Sequence, residues 1–121
     1  MMVTDKYGYI EYYLTYRPEL NNLKEREVLG KHITDIYPGL DNNTSSIMRV
    51  LKTGIPITNE YQMLSTFKGQ SIKAVNTTLP IKDNDEIIGA VDVSPDYPQY
   101  RPHDNDVQGW QIFAFPGIPL L

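Results

Sequence analysis

An α+β domain, an antiparallel sheet with short helices on one face, is what the sequence predicts, and three features carry that expectation. First, Glu60 to Ser94 reads as three strands joined by two turns. Second, the chain opens on residues that suit a β-hairpin, Met1 to Leu14. Third, the segment between them holds short runs of helical spacing, each stopped by Gly or Pro.

Met1 to Asp5 is a short strand, and Asp5-Lys6-Tyr7-Gly8 suits a turn. Tyr9 to Leu14 alternates, which places Ile10, Tyr12 and Leu14 on one face. Arg17-Pro18-Glu19-Leu20 puts Pro where a helix starts and an acid in its first turn. Leu23 to Leu29 continues as a second short helix, with Gly30 as its cap. In Lys31 to Pro38, Ile33, Ile36 and Tyr37 stand at helical spacing, and Pro38 ends the run. The longest helix follows the polar loop Leu40 to Thr44: Thr44, Ser45 or Ser46 caps it, Ile47, Val50 and Leu51 form its apolar stripe with Met48 at the edge, and Gly54 stops it. Pro56 returns the chain to extended backbone.

The meander has strands at Glu60 to Phe67, Ser71 to Ile81 and Ile87 to Val93, with turns at Lys68-Gly69 and Lys82 to Glu86. In the last strand Ile87, Gly89, Val91 and Val93 are the expected inner set, because Asp92 on the other face would need a partner if buried. In the middle strand Val75, Thr77 and Leu79 form one face, Ala74, Asn76 and Thr78 the other. After Ser94 five prolines break any long element, yet Trp110 to Phe115 is apolar and reads as a strand. The expected division is a domain over 1–94 and an atypical tail over 95–121.

Length and composition narrow the function. The 121 residues suffice for one core. A net charge of −4 offers no footprint for nucleic acid or anionic lipid, so neither is an expected partner. No apolar run approaches the roughly 20 residues of a membrane span, no signal-peptide layout opens the chain, and cysteine is absent, which together point to the cytoplasm. Lacking cysteine, the chain has no disulfide, no thiol nucleophile and no thiolate metal site. No nucleophile-base ordering, phosphate loop or paired-carboxylate arrangement stands out, so an enzyme is not expected. Asp83, Asp85 and Glu86 read as a solvated hairpin tip rather than a cation site. His32 reads as a surface or capping residue, His103 as exposed.

Four segments, in order, resemble the PAS domain family: Asp5-Lys6-Tyr7-Gly8-Tyr9-Ile10 its opening hairpin, Val28-Leu29-Gly30-Lys31-His32 with Asp35-Ile36-Tyr37-Pro38 its helical connection, Val50 to Pro56 the end of its long helix, and Ile87-Ile88-Gly89-Ala90-Val91 its last strand. The resemblance spans roughly 1–94 and implies a five-stranded antiparallel sheet of order 2-1-5-4-3 with short helices on one face. Asn76-Thr77-Thr78-Leu79-Pro80-Ile81, with the flanking segments, is similar to the N-terminal PAS domain of RocR-like (arginine-utilisation) sigma-54-dependent transcriptional activators. There the domain is regulatory and precedes an ATPase domain and a DNA-binding helix-turn-helix. That likeness implies the sensory part of a transcriptional activator, with an amino-acid-related ligand. The alternatives are a ligand-free dimerisation module and a fragment of a sensor kinase. The chain departs from the family at Val93-Ser94-Pro95-Asp96-Tyr97-Pro98, where an Asp-Ile/Val-Thr motif usually leads into a signalling helix. A shift of reading frame would account for the tail, and translating the coding DNA in its other frames tests that.

In this fold a cavity is expected between sheet and helices, walled by Ile33, Ile36, Tyr37, Ile47, Met48, Leu51, Met63, Val75, Thr77, Leu79, Val91 and Val93. Asn76, Thr77 and Tyr37 are the polar groups that could fix a small molecule, and the plainer alternative is that these residues simply fill the core. No cofactor is expected: the flavin-adduct and thioester-linked coumarate sensors of the family need a cysteine, and a metal or haem wants more ligands than two scattered histidines. A homodimer is expected through the outer sheet face, assigned Tyr61, Ile72, Ala74, Ile88 and Ala90 in some combination, or through Trp110 to Phe115 of the tail.

Overall fold

A computed structural model describes residues 1–15 and 22–94. The expected helix at Arg17 to Leu20, His103 and the tail with Trp110 to Phe115 lie outside the described residues. Five strands form one antiparallel sheet: β1 (Met2–Asp5), β2 (Ile10–Tyr13), β3 (Ile57–Ser65), β4 (Ser71–Asp83) and β5 (Glu86–Val93), in the order β2-β1-β5-β4-β3. Among the described residues three short helices lie between the hairpin and the meander: α1 (Glu25–Val28), α2 (Ile33–Ile36) and α3 (Ser46–Thr53). This is the α+β architecture and strand order expected above.

Local chemistry sets each turn. Asp5 Oδ1 accepts from the backbone N–H of Tyr7 and of Tyr9, both at 2.9 Å, and closes the first hairpin. Gly8 continues that turn at φ +93°, where a Cβ would stand 2.8 Å from both His32 Nε2 and Met48 Sδ. His32 caps α2 as expected: its Nδ1 accepts from Thr34 N at 3.2 Å, while its Nε2 lies 2.9 Å from the Tyr7 carbonyl. A carbonyl can only accept and a backbone N–H only donate, so the proton sits on Nε2. Ser45 caps α3, accepting from Met48 N, and Gly54 ends it in left-handed conformation. Asn84 and Asp85, both at positive φ, make a two-residue turn between β4 and β5, tighter than the five-residue turn expected.

Two register shifts correct the expected faces. Val3 faces Tyr12 but Thr4 faces Ile10, leaving Glu11 as an extra residue in β2. Ile10 and Tyr13 are therefore buried, while Tyr12 and Leu14 turn out to solvent. In the last hairpin Lys82 faces Ile87 but Ile81 faces Gly89, leaving Ile88 extra. Without that bulge Asp92 would face Thr77; with it, Asp92 faces Thr78. The inner face of β4 and β5 accordingly carries Asn76, Thr78, Ala90 and Asp92, and the expected inner set Val75, Thr77, Leu79, Val91 and Val93 lies on the outer face.

The core lies between that inner face and the helices. Ile10, Leu23, Val28, Ile33, Ile36, Ile47, Val50, Leu64 and Ala90 are buried in it, with Met48, Leu51, Ile72 and Ala74 packed alongside. Ile72, Ala74 and Ala90 thus stand on the inner face and not on the expected outer one: Ala74 pairs with Gln62, Ile72 with buried Leu64, and Ala90 is fully buried.

Candidate functional site

One cross-strand row of the inner face runs Tyr13, Met2, Asp92, Thr78, and α3 lies over it. Thr78 is fully buried, and its hydroxyl stands 2.6 Å from Asp92 Oδ1 and 2.9 Å from Ser46 Oγ. Thr78 has a single proton to give. The ionised carboxylate can only accept, so Thr78 donates to Asp92 and accepts from the Ser46 hydroxyl. A second relay runs alongside: Asn76 Nδ2 donates to Gln62 Oε1 at 2.7 Å, and Gln62 Nε2 donates to the Thr44 carbonyl at 3.2 Å. Both relays tie the sheet to the N-terminal end of α3.

Beside this network lies a cavity of about 80 Å³. Its apolar walls include Ile33, Leu40, Ile47, Leu64, Ile72 and Ala74, and its polar lining includes Tyr13, Tyr37, Ser45, Ser46, Gln62, Asn76 and Asp92. Asp92 is half-buried. Burial pushes its carboxyl up to about 6, opposed by the hydrogen bond from Thr78 and by the N-terminal ammonium, and reinforced by Glu60. Burial also raises the Tyr37 phenol, helped by Tyr13 and Asp92 nearby, so that it stays protonated as a donor.

Of the expected lining, Ile33, Tyr37, Ile47 and Asn76 reach the cavity. Ile36, Met48 and Leu51 belong to the packed core without lining it. Met63 and Val75 are 61 % and 41 % exposed on the outer face, where Met63 pairs with Lys73 and Val75 with Tyr61. Thr77, Leu79 and Val91 share that face. Sequence reasoning missed Asp92, Thr78, Ser46 and Gln62. Their signal was present as polar residues at one register of adjacent strands, but only the bulge at Ile88 puts Asp92 and Thr78 in one row. Among the described residues no group of His, Asp and Glu converges to hold a metal, and no helix is long and apolar enough to cross a membrane.

No family model matches the chain. It is 29 % identical over 94 residues to the transcriptional activator RocR of Bacillus subtilis, an alignment covering 78 % of this chain and 20 % of that protein. The chain therefore spans about a fifth of the length of this relative. Among solved structures, the PAS domain of a protein from Colwellia psychrerythraea superposes with a TM-score of 0.62 at 19 % identity, over 79 % of this chain and 83 % of that one. Sheet order, helix placement and these two likenesses agree: the chain has the PAS fold, and as a PAS-fold domain it resembles RocR-type regulators.

Proposed function

We propose that this chain is a regulatory, non-enzymatic PAS domain of a cytoplasmic transcriptional activator, and that it senses a small molecule. The observation that carries the sensory reading is the cavity with a charged carboxyl and neutral hydrogen-bonding groups on its walls, set against β5. A core built only for packing has no use for a half-buried aspartate beside an opening. At about 80 Å³ the space is well below the ~300 Å³ and more of a cofactor-sized pocket, which favours a metabolite over a flavin or haem. The domain occupies 1–94, and β5 delivers any change at Asp92 to Ser94 and onward to the output. Thermal-shift screening of the full chain against amino acids of arginine metabolism tests the reading. A rise in melting temperature with one of them supports it. No shift with any at millimolar concentration removes direct sensing.

A second role, homodimerisation through the outer face, is favoured by its exposed apolar residues. Tyr61, Met63, Val75 and Tyr12 are all more than two-fifths exposed there, beside half-buried Leu79, Val91 and Val93. A contiguous apolar strip of this kind favours a partner, and a second copy presents a matching one. The tail over 95–121 would pack against the same face or against the partner. Sedimentation equilibrium on the full chain distinguishes the two states: a monomer at all concentrations sinks the dimer.

A further inference from the structure

We propose that the cavity takes the protonated amine of a small organic cation, with the Asp92 carboxylate as its counter-ion. The inference rests on the reading of this cavity as a sensor pocket and adds the charge and size of what enters it. Among the described side chains lining the cavity Asp92 is the only charged one; Met1, whose ammonium lowers that carboxyl, also lines it. Among the described residues no basic side chain lines the cavity for a ligand carboxylate, and the Met1 ammonium there already donates to the Leu14 carbonyl at 2.7 Å, so Asp92 favours the amine end of an incoming molecule. The Thr78 hydroxyl occupies one oxygen of Asp92, whereas an ionised carboxylate offers about four acceptor positions. An ammonium brings three protons, and the Tyr37 phenol oxygen and the Asn76 amide line the same cavity as further polar groups. Ile33, Ile47 and Leu64 supply the apolar surface for a short aliphatic body. The volume equals roughly two or three waters of liquid, which limits that body to a few carbons.

The groups around Asp92 set its pH response. Tyr13 on β2 and Tyr37 after α2 line the same space; Glu60 on β3 raises the carboxyl, and the N-terminal ammonium, donating to the Leu14 carbonyl at 2.7 Å, lowers it. From β4 and α3 come the neutral hydroxyls of Thr78 and Ser46. Burial outweighs the rest, so amine binding requires deprotonating a carboxyl that holds its proton up to about 6.

The test titrates the full chain, followed by amide chemical shifts, with three probes of matched size: propylamine, propan-1-ol and propionate. The expected result is saturable binding of propylamine alone, with the largest shifts at Thr78 and Asp92. Its affinity falls about tenfold or more in Asp92→Asn, as for loss of a charged hydrogen-bonding partner, and falls again in the wild type as pH drops through about 6. Ala74→Leu, which places extra carbons in the cavity away from the carboxyl, also abolishes binding and serves if Asp92→Asn does not fold. Propanol or propionate binding as tightly as the amine, or amine affinity unchanged in Asp92→Asn, overturns the cation assignment and leaves the sensor reading standing. If none of the three probes binds while an amino acid of the thermal-shift panel does, the assignment falls alone. If nothing in either panel binds, both fall.

Discussion

Asp92 couples chemistry to stability in a direction opposite to most surface acids. Its ordinary value is 3.8, and burial lifts it to about 6 in the fold. The folded chain therefore holds this proton more tightly than the unfolded chain. Stability from this group is fully present below about pH 4 and is lost as pH rises through about 6, a change on the order of 2–3 kcal/mol. Asp92→Asn should remove that slope and make the domain more stable at neutral pH, measured by urea denaturation at a series of pH values. Thr78→Val should do the reverse. It deletes the Thr78 donor to Asp92 and the acceptor of Ser46, costs about 1–3 kcal/mol, and raises the Asp92 carboxyl further in an NMR titration. At Gly8 the constraint is space: with a Cβ 2.8 Å from the His32 ring and φ +93°, Gly8→Ala should destabilise by about 1–3 kcal/mol and disturb the His32 cap, visible in urea midpoint and in the His32 ring shifts.

Among the elements, α3 carries the site. Ser45 at its N-cap, Ser46 in its first turn and Ile47 beyond place a cap, a relay hydroxyl and a cavity wall within three consecutive residues. Ser45→Ala should cost about 1 kcal/mol in thermal unfolding, the usual value of an N-cap, and loosen the helix end that both relays hold. The bulges matter as much as the helix. Ile88 in β5 turns a simple hairpin register by one residue and so selects which side chains meet α3. A further extra residue, in the Ile57 to Glu60 stretch of β3, has Asn59 at positive φ.

For the whole molecule the sheet divides the labour between its faces. The inner face is polar at its centre, through Asn76, Thr78 and Asp92, and meets the helices; the outer face is apolar and half-exposed. Val75→Lys on that outer face should leave folding within about 0.5 kcal/mol, since the side chain is already 41 % exposed. It should also shift the sedimentation of the full chain toward monomer. Unchanged association would move the contact elsewhere.

Sequence alone determined the kind and order of the elements. Glycine, proline and the Asn/Asp turns end segments by local backbone sterics, and caps such as His32 and Ser45 act within three residues of themselves. Those effects need no knowledge of distant contacts, and together they yield the five-stranded sheet and its helices. Which face of the sheet is inside was decided only in tertiary structure. Alternation gives two faces but does not say which one meets α3, and a bulge exchanges them in mid-strand. Val91, Leu79 and Val75 are more apolar than Asp92, Thr78 and Asn76, so reading hydrophobicity alone puts the wrong set inside. Thr78 overturns that ranking by donating to Asp92 across 14 residues of chain while Ser46 donates to Thr78 across 32, a balance of desolvation and hydrogen bonding that exists only once the strands are paired.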